Sequence, residues 1–129
     1  MMLDTNVVSD LLRDPRGAAR SRIASLGDER LCLSAIVVAE LRFGILKKAS
    51  ERLSGQLRAV LNALDVVPWG PPADREYARI RLALERTGKP IGPNDMLIAA
   101  HALALGAPLV TANLDEFLRV PGLAVVPWR

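Results

Sequence analysis

Five short apolar runs punctuate the chain, at Met1 to Leu3, Leu31 to Leu33, Val66 to Pro68, Leu109 to Thr111 and Leu123 to Val126. Between them the apolar positions change period, from continuous runs to the three- and four-residue spacing of helices. Val7, Val8, Leu11 and Leu12 form a short helical pattern after the first run. Leu53, Leu57, Val60, Leu61 and Leu64 mark one face of a longer helix, with Arg52, Gln56 and Arg58 opposite. Pro71-Pro72 opens another helix, which turns Ala73, Tyr77, Ile80 and Leu84 inward and Arg75, Arg79 and Arg86 outward, and Thr87-Gly88 closes it. Met96 to Leu105 is apolar almost all round apart from His101, which predicts a central helix covered by neighbours. Strands alternating with helices predict an α/β fold: a parallel sheet of four to five strands, flanked by helices on both faces, in a single domain over residues 1–129.

Against this apolar pattern four acids stand out. Asp4 ends the first run, Glu40 interrupts Ala35-Ile36-Val37-Val38-Ala39-Glu40-Leu41, and Asp115 follows the fourth run after a turn containing Asn113. Gly92-Pro93-Asn94-Asp95 marks a helix entrance, so Asp95 falls in or just before the first turn, where the helix dipole favours a carboxylate and keeps it ionised. Acids are almost never buried unpaired, so a Glu on an apolar helix face must be neutralised, hydrogen-bonded or holding a cation. Ligand sites of parallel α/β sheets form at the carboxyl ends of strands, a rule that Asp4, Glu40 and Asp115 fit, while Asp95 heads the central helix. Taken singly each acid has an ordinary role: Asp4 and Asp95 as helix caps, Asp115 as a loop charge, Glu40 as a partner of Arg42 or Arg79.

Composition narrows the chemistry. With 129 residues, half of them hydrophobic, the chain can bury a core without staples. The apolar runs are too short for a membrane span or a signal peptide. The single cysteine, Cys32, lies in an apolar run and forms no internal disulfide, which fits a reducing cytoplasm and a packing role. The net charge is +3, and if four of the acids converge on one pocket, the remaining surface is more basic than that figure. Basic residues around an acidic pocket suit a polyanion such as nucleic acid. Hard oxygen ligands suit Mg²⁺ or Mn²⁺, no His or Cys set has zinc spacing, and the natural chemistry of such a site is phosphodiester hydrolysis.

Two other folds with acidic pockets fail on particular residues. A phosphoacceptor receiver domain needs a lysine after a late strand, but Lys47, Lys48 and Lys89 all lie elsewhere. A haloacid-dehalogenase-type phosphatase wants Asp at position 6, where Asn6 stands. The chain instead resembles the PIN-domain nucleases, and within them the toxins of VapBC toxin–antitoxin systems. The matching pieces are Leu3-Asp4-Thr5-Asn6-Val7, Ser34 through Gly44, Gly92 through Ala100, Leu109 through Asn113, and Phe117. In that order and spacing they span nearly the whole chain.

The resemblance implies a PIN fold, a Mg²⁺- or Mn²⁺-dependent endoribonuclease, and a dimer neutralised by a VapB-like antitoxin whose tail occupies the active-site groove. Asp4, Glu40 and Asp95 match the family's metal-binding acids. The position that is often Asp after the last core strand is Asn113, with Asp115 two residues on, so the fourth ligand is Asp115, Asn113 or neither. Thr5, Asn6, Ser34 and Thr111 are candidate supports that orient ligands, hold water or simply cap. Arg42, Arg79, Arg86 and Lys89 are candidate phosphate contacts, with a solvated charge as the alternative for each. Gly44 either leaves room for substrate or permits close helix packing, and His101, Trp69 and Trp128 read as packing residues. Two uses other than a toxin remain open, a weakly active or inactive module that binds RNA or protein and a housekeeping RNA-processing nuclease.

Overall fold

A computed structural model of the chain describes residues 1–27 and 30–128. Their elements run β1 (Met2–Leu3), α1 (Thr5–Arg13), α2 (Ala18–Ser25), β2 (Cys32–Ser34), α3 (Ala35–Lys48), α4 (Glu51–Ala63), β3 (Asp65–Val67), α5 (Ala73–Arg86), α6 (Pro93–Leu105), β4 (Leu109–Thr111), α7 (Leu114–Phe117) and β5 (Val125–Pro127). The strands pair in the order β3-β2-β1-β4-β5, every pair parallel. All five expected strands form, β4 with its expected bounds and the others with shifted ends. The last starts at Val125 because its ladder begins with Leu109 opposite Val125, while the Leu123 amide closes a turn onto Val120.

Burial follows strand position. Met2, Leu3, Leu109 and Val110 in the central strands β1 and β4 are fully buried, whereas the edge strands β3 and β5 are partly open. Continuous apolar runs are what a parallel sheet covered by helices requires. From β1 the chain moves outward through β2 to β3, then returns to the other side of β1 for β4 and β5. The carboxyl ends of β1 and β4 therefore flank the switch point at which α/β folds bind ligands.

Local chemistry sets the helix starts. Asp4, Ser34 and Ser50 cap α1, α3 and α4 through side-chain oxygens that accept from the amides of Thr5, Ile36 and Leu53. Pro93 occupies the entrance of α6, and Gly106 ends it in the left-handed region at φ 63°. As its all-round hydropathy predicts, α6 is central: Met96, Ile98, Ala99, Ala100, His101 and Ala102 are buried. Helices α2 and α7 were not legible in the pattern. The first buries no residue fully, and the second is a single turn.

The tryptophans serve as packing residues. Trp69 donates to the Leu97 carbonyl at 2.9 Å and meets Tyr77 edge-on, and buried Trp128 donates to Asp10 Oδ2 at 2.8 Å. Cys32 is half-buried on β2 and packs against the core. Among the described residues no helix is long and apolar enough to cross a membrane.

Candidate active site

Asp4 leaves β1 at the sheet centre and is almost completely buried, at 2% exposure. Its backbone extends the ladder, its amide donating to the Val110 carbonyl at 2.9 Å, which sets Asp4 beside the end of β4. There Thr111 Oγ1 donates to Asp4 Oδ2 at 2.6 Å and accepts from the Asn113 amide at 2.9 Å. Asn6 Nδ2 donates to the same carboxylate oxygen at 3.1 Å, while Asn6 Oδ1 accepts from the Ala112 amide at 3.1 Å. Burial raises the Asp4 pKa and the Glu40 charge adds to it, with the bonds from Thr111, the Thr5 amide and Asn6 opposing.

Thr5 joins the first acid to the second. Its amide caps onto Asp4 Oδ1 at 2.8 Å and its hydroxyl donates to Glu40 Oε1 at 2.6 Å, reaching across from α1 to α3. Asn94 Nδ2 holds the other Glu40 oxygen at 3.2 Å from the start of α6. One residue on, Asp95 Oδ2 accepts from Asn113 Nδ2 at 3.2 Å, and that amide group also donates to Glu116 Oε2 at 3.0 Å. The Gly92 amide donates to Glu116 Oε1 at 3.2 Å.

Asp95 departs from the sequence-based expectation. The helix dipole does not keep it ionised: burial first, then its hydrogen bond to Glu116 and the charges of Asp4, Glu116 and Glu40, push its carboxyl up to about 8. Glu116 moves the opposite way, held low chiefly by the bond from Asp95. The two acids are linked, with the Asp95 carboxyl shifted up and Glu116 shifted down. Among the described residues no Lys or Arg is ion-paired with Asp4, Glu40, Asp95 or Glu116, although the Arg119 charge helps to hold Glu116 low.

The carboxylates open into a cavity of about 410 Å³, lined by Asp4, Glu40, Asp95 and Asn113 at one end and reaching Gly44, Ile45 and Lys48 at the other. The PIN domain family matches residues 1–123. The chain belongs to the PIN-domain family. Two curated relatives are each 36% identical over 98% of this chain and 96% of their own length: the tRNA(fMet)-specific endonuclease VapC of Salmonella typhimurium and ribonuclease VapC2 of Rickettsia felis. Among solved structures, VapBC2 from Rickettsia felis bound to a DNA fragment from its promoter superposes with a TM-score of 0.92 at 34% identity, covering 99% of this chain and 98% of that one. DNA-bound VapBC from Salmonella typhimurium gives 0.85 at 35% identity, covering 99% and 97%.

Within this PIN fold the expected residues fall into three groups. Asp4, Glu40 and Asp95 converge with Thr5, Asn6, Thr111 and Asn113 in one hydrogen-bonded cluster. Ser34 lies apart from it, capping α3 and meeting buried His101 Nδ1 at 2.8 Å. The phosphate candidates Arg42, Arg79, Arg86 and Lys89 are exposed and none lines the cavity; Arg79 is paired with Glu76 at 2.7 Å, and neither it nor Arg42 engages Glu40. The cavity is lined instead by Arg13 and Lys48.

Asp115, expected with Asn113 as a candidate fourth acid, lies apart from the cluster. It is exposed and makes none of the cluster's hydrogen bonds, whereas its neighbour Glu116 turns back to Asn113, Gly92 and Asp95. The reason is helical phase. Asn113 is the N-cap of α7, and Glu116, three residues on, turns back over the helix start to accept from the Asn113 side chain, while Asp115 before it is exposed. That N-cap-plus-three spacing was the available sequence signal, and it required knowing where α7 begins.

The donor set suits a hard divalent cation. Its acidic donors are all carboxylates, and among the described residues none is in an ion pair. Among the described residues no three His, Cys, Asp or Glu side chains are close enough together to hold a metal ion as they stand.

Proposed function

We propose that this PIN domain is a Mg²⁺- or Mn²⁺-dependent endoribonuclease and the toxin of a type II toxin–antitoxin pair, restrained by a VapB-like partner. The observation that carries the reading is the convergence of Asp4, Glu40, Asp95 and Glu116, none in an ion pair among the described residues, at the switch point of a parallel sheet. Asp4, Glu40 and Asp95 would hold the cation, with Glu116 in the fourth place. A divalent cation bound there supplies an activated water and stabilises charge on the scissile phosphate.

The rest is done by this chain's own groups. Thr111 and Asn6 fix the Asp4 carboxylate on one oxygen, and the Thr5 amide fixes the other. The Thr5 hydroxyl and Asn94 orient Glu40 from both sides. Asn113 Nδ2 bridges Asp95 Oδ2 and Glu116 Oε2 and so orients both carboxyls, which would hold the cation. No protein nucleophile is required. Relatives named as VapC ribonucleases, and neighbours solved as VapBC complexes, support both the RNA substrate and the antitoxin.

Incubating purified protein with total cellular RNA, with and without Mg²⁺, tests this directly. Cleavage is expected only with the cation. RNA binding without cutting under every metal condition would instead favour a binding module. A housekeeping nuclease would cut RNA without arresting growth on expression, whereas a toxin arrests growth and is rescued by its antitoxin.

The fourth acid has its own comparison. Glu116→Gln is expected to lower kcat about 10-fold or more, in the range seen when groups supporting a metal site are removed, while Asp115→Asn stays within about twofold of wild type. The reverse ranking in a single-turnover assay would return the role to Asp115.

A further inference from the structure

Gly44 occupies the middle of α3, where glycine weakens a helix relative to alanine. Neither conformation nor crowding explains it there: its φ is helical, and a Cβ built on it meets nothing within 4 Å. Close helix packing, one of the two readings of this residue, is thereby removed. What its missing side chain does leave open is the cavity beside the carboxylates, which Gly44 lines.

Position along α3 orders that cavity. Glu40, Gly44 and Lys48 recur every four residues and so share one face, spanning about 12 Å of helix axis. Glu40 belongs to the carboxylate cluster. Lys48, at the far end, has no ion-pair partner among the described residues, whereas Arg13 on the same cavity wall is engaged by Asp10 at 2.7 Å. Between the two ends the walls are aliphatic, with Leu12, Leu41 and Leu53 buried behind the opening and Ile45 beside it. At about 410 Å³ the space falls in the range of small-ligand pockets.

Acid at one end, an apolar slot in the middle and a free ammonium at the other match the parts of a polynucleotide strand in order. We infer that this cavity is a nucleotide subsite: the base adjoining the scissile phosphate enters the slot over Gly44, and Lys48 takes the neighbouring phosphate. The inference rests on the nuclease reading above and gives its substrate a position. Aliphatic walls contact the faces of a base and not its hydrogen-bonding edges, so the slot requires a base without strongly reading which one.

The test uses short single-stranded RNA oligonucleotides, each carrying one abasic nucleotide at a different position, bound to Asp95→Asn protein with and without Gly44→Leu. Binding is followed by fluorescence anisotropy. One abasic position is expected to weaken binding to the parent about 10-fold, in line with the loss of one stacked base. Gly44→Leu should weaken the intact oligonucleotide to a similar level and erase that positional difference. Gly44→Ala guards against misfolding: it should melt no lower than its parent and still bind intact RNA more weakly. Lys48→Ala should flatten the salt dependence of binding by about one phosphate contact.

Gly44→Leu protein that distinguishes intact from abasic RNA as its parent does would overturn the subsite. So would a variant that binds RNA normally but no longer binds the antitoxin, since the cavity would then serve the protein partner. Failure of the two readings separates in otherwise wild-type protein with Mg²⁺. RNA that is bound with the abasic signature but never cut removes the nuclease and keeps the subsite; RNA cut by Gly44→Leu with unchanged kcat/KM and cleavage pattern removes the subsite alone. No RNA binding at all removes both.

Discussion

Asp95→Asn is expected to lower RNA cleavage by about 1,000-fold or more while raising the melting temperature of the cation-free protein at pH 8, a loss of catalysis on the scale seen when one preorganised electrostatic group is removed. The two effects share one cause. Burial, the bond to Glu116 and the nearby carboxylates raise the Asp95 pKa from 3.8 to about 8 in the folded chain. The folded state therefore holds its proton more tightly than the unfolded state does. The stability contributed by this group is complete below pH 3.8 and is lost progressively as pH rises toward 8.

An amide in place of the carboxyl carries no charge at any pH, so the variant should not share this decline. A divalent cation acts on the same balance. By binding the ionised carboxylates of the folded state it should raise the wild-type melting temperature, and more at pH 8 than at pH 6, because fewer protons compete. The variant should lose most of that response. Differential scanning calorimetry across pH, with and without Mg²⁺, checks each part; a wild-type protein whose melting temperature ignores both Mg²⁺ and pH 6 to 8 would contradict the carboxylate account.

Thr111→Val carries the second large effect. The side chains are nearly the same shape, but the hydroxyl is fully buried, donates to Asp4 at 2.6 Å and accepts from the Asn113 amide at 2.9 Å. Losing a hydrogen bond to a charged group should cost about 1.5–3 kcal/mol, which for a chain of this size lowers the melting temperature by about 5–10 °C.

The same bond is the largest influence holding the Asp4 pKa down against burial. Without it the carboxyl stays protonated to higher pH, so the acidic limb of the pH–rate profile should move upward. Thr111→Ser keeps the hydroxyl and should restore the limb even if some packing is lost. A Val variant that is destabilised but keeps the wild-type profile would confine Thr111 to a structural role.

Much of the site was readable before folding was considered, because Asp4, Glu40 and Asp95 each interrupt an apolar segment, and such an interruption needs a chemical reason. Asn6 and Thr5 were legible as neighbours of Asp4. Their division of labour was not: Thr5 spends its amide on Asp4 and its hydroxyl on Glu40, and Asn6 spends its amide on Asp4 and its carbonyl on Ala112. These pairings depend on side-chain direction, which spacing along the chain does not encode. The phosphate candidates illustrate the same limit. Arg42 lies two residues from Glu40, but on a helix that separation turns it to another face, while Lys48, eight residues away, returns to the cavity.

By itself the sequence determined the strand and helix alternation, the all-round apolar α6 and the identity of three of the four clustered acids, since each is a local matter of period, capping and charge. The tertiary structure alone decided that Glu116 and not Asp115 joins them, that burial and neighbouring acids raise the Asp95 pKa, and that Gly44 faces open space. Those outcomes depend on which groups long-range packing places within a few ångströms of one another, where desolvation and like charge outweigh any preference read from the chain.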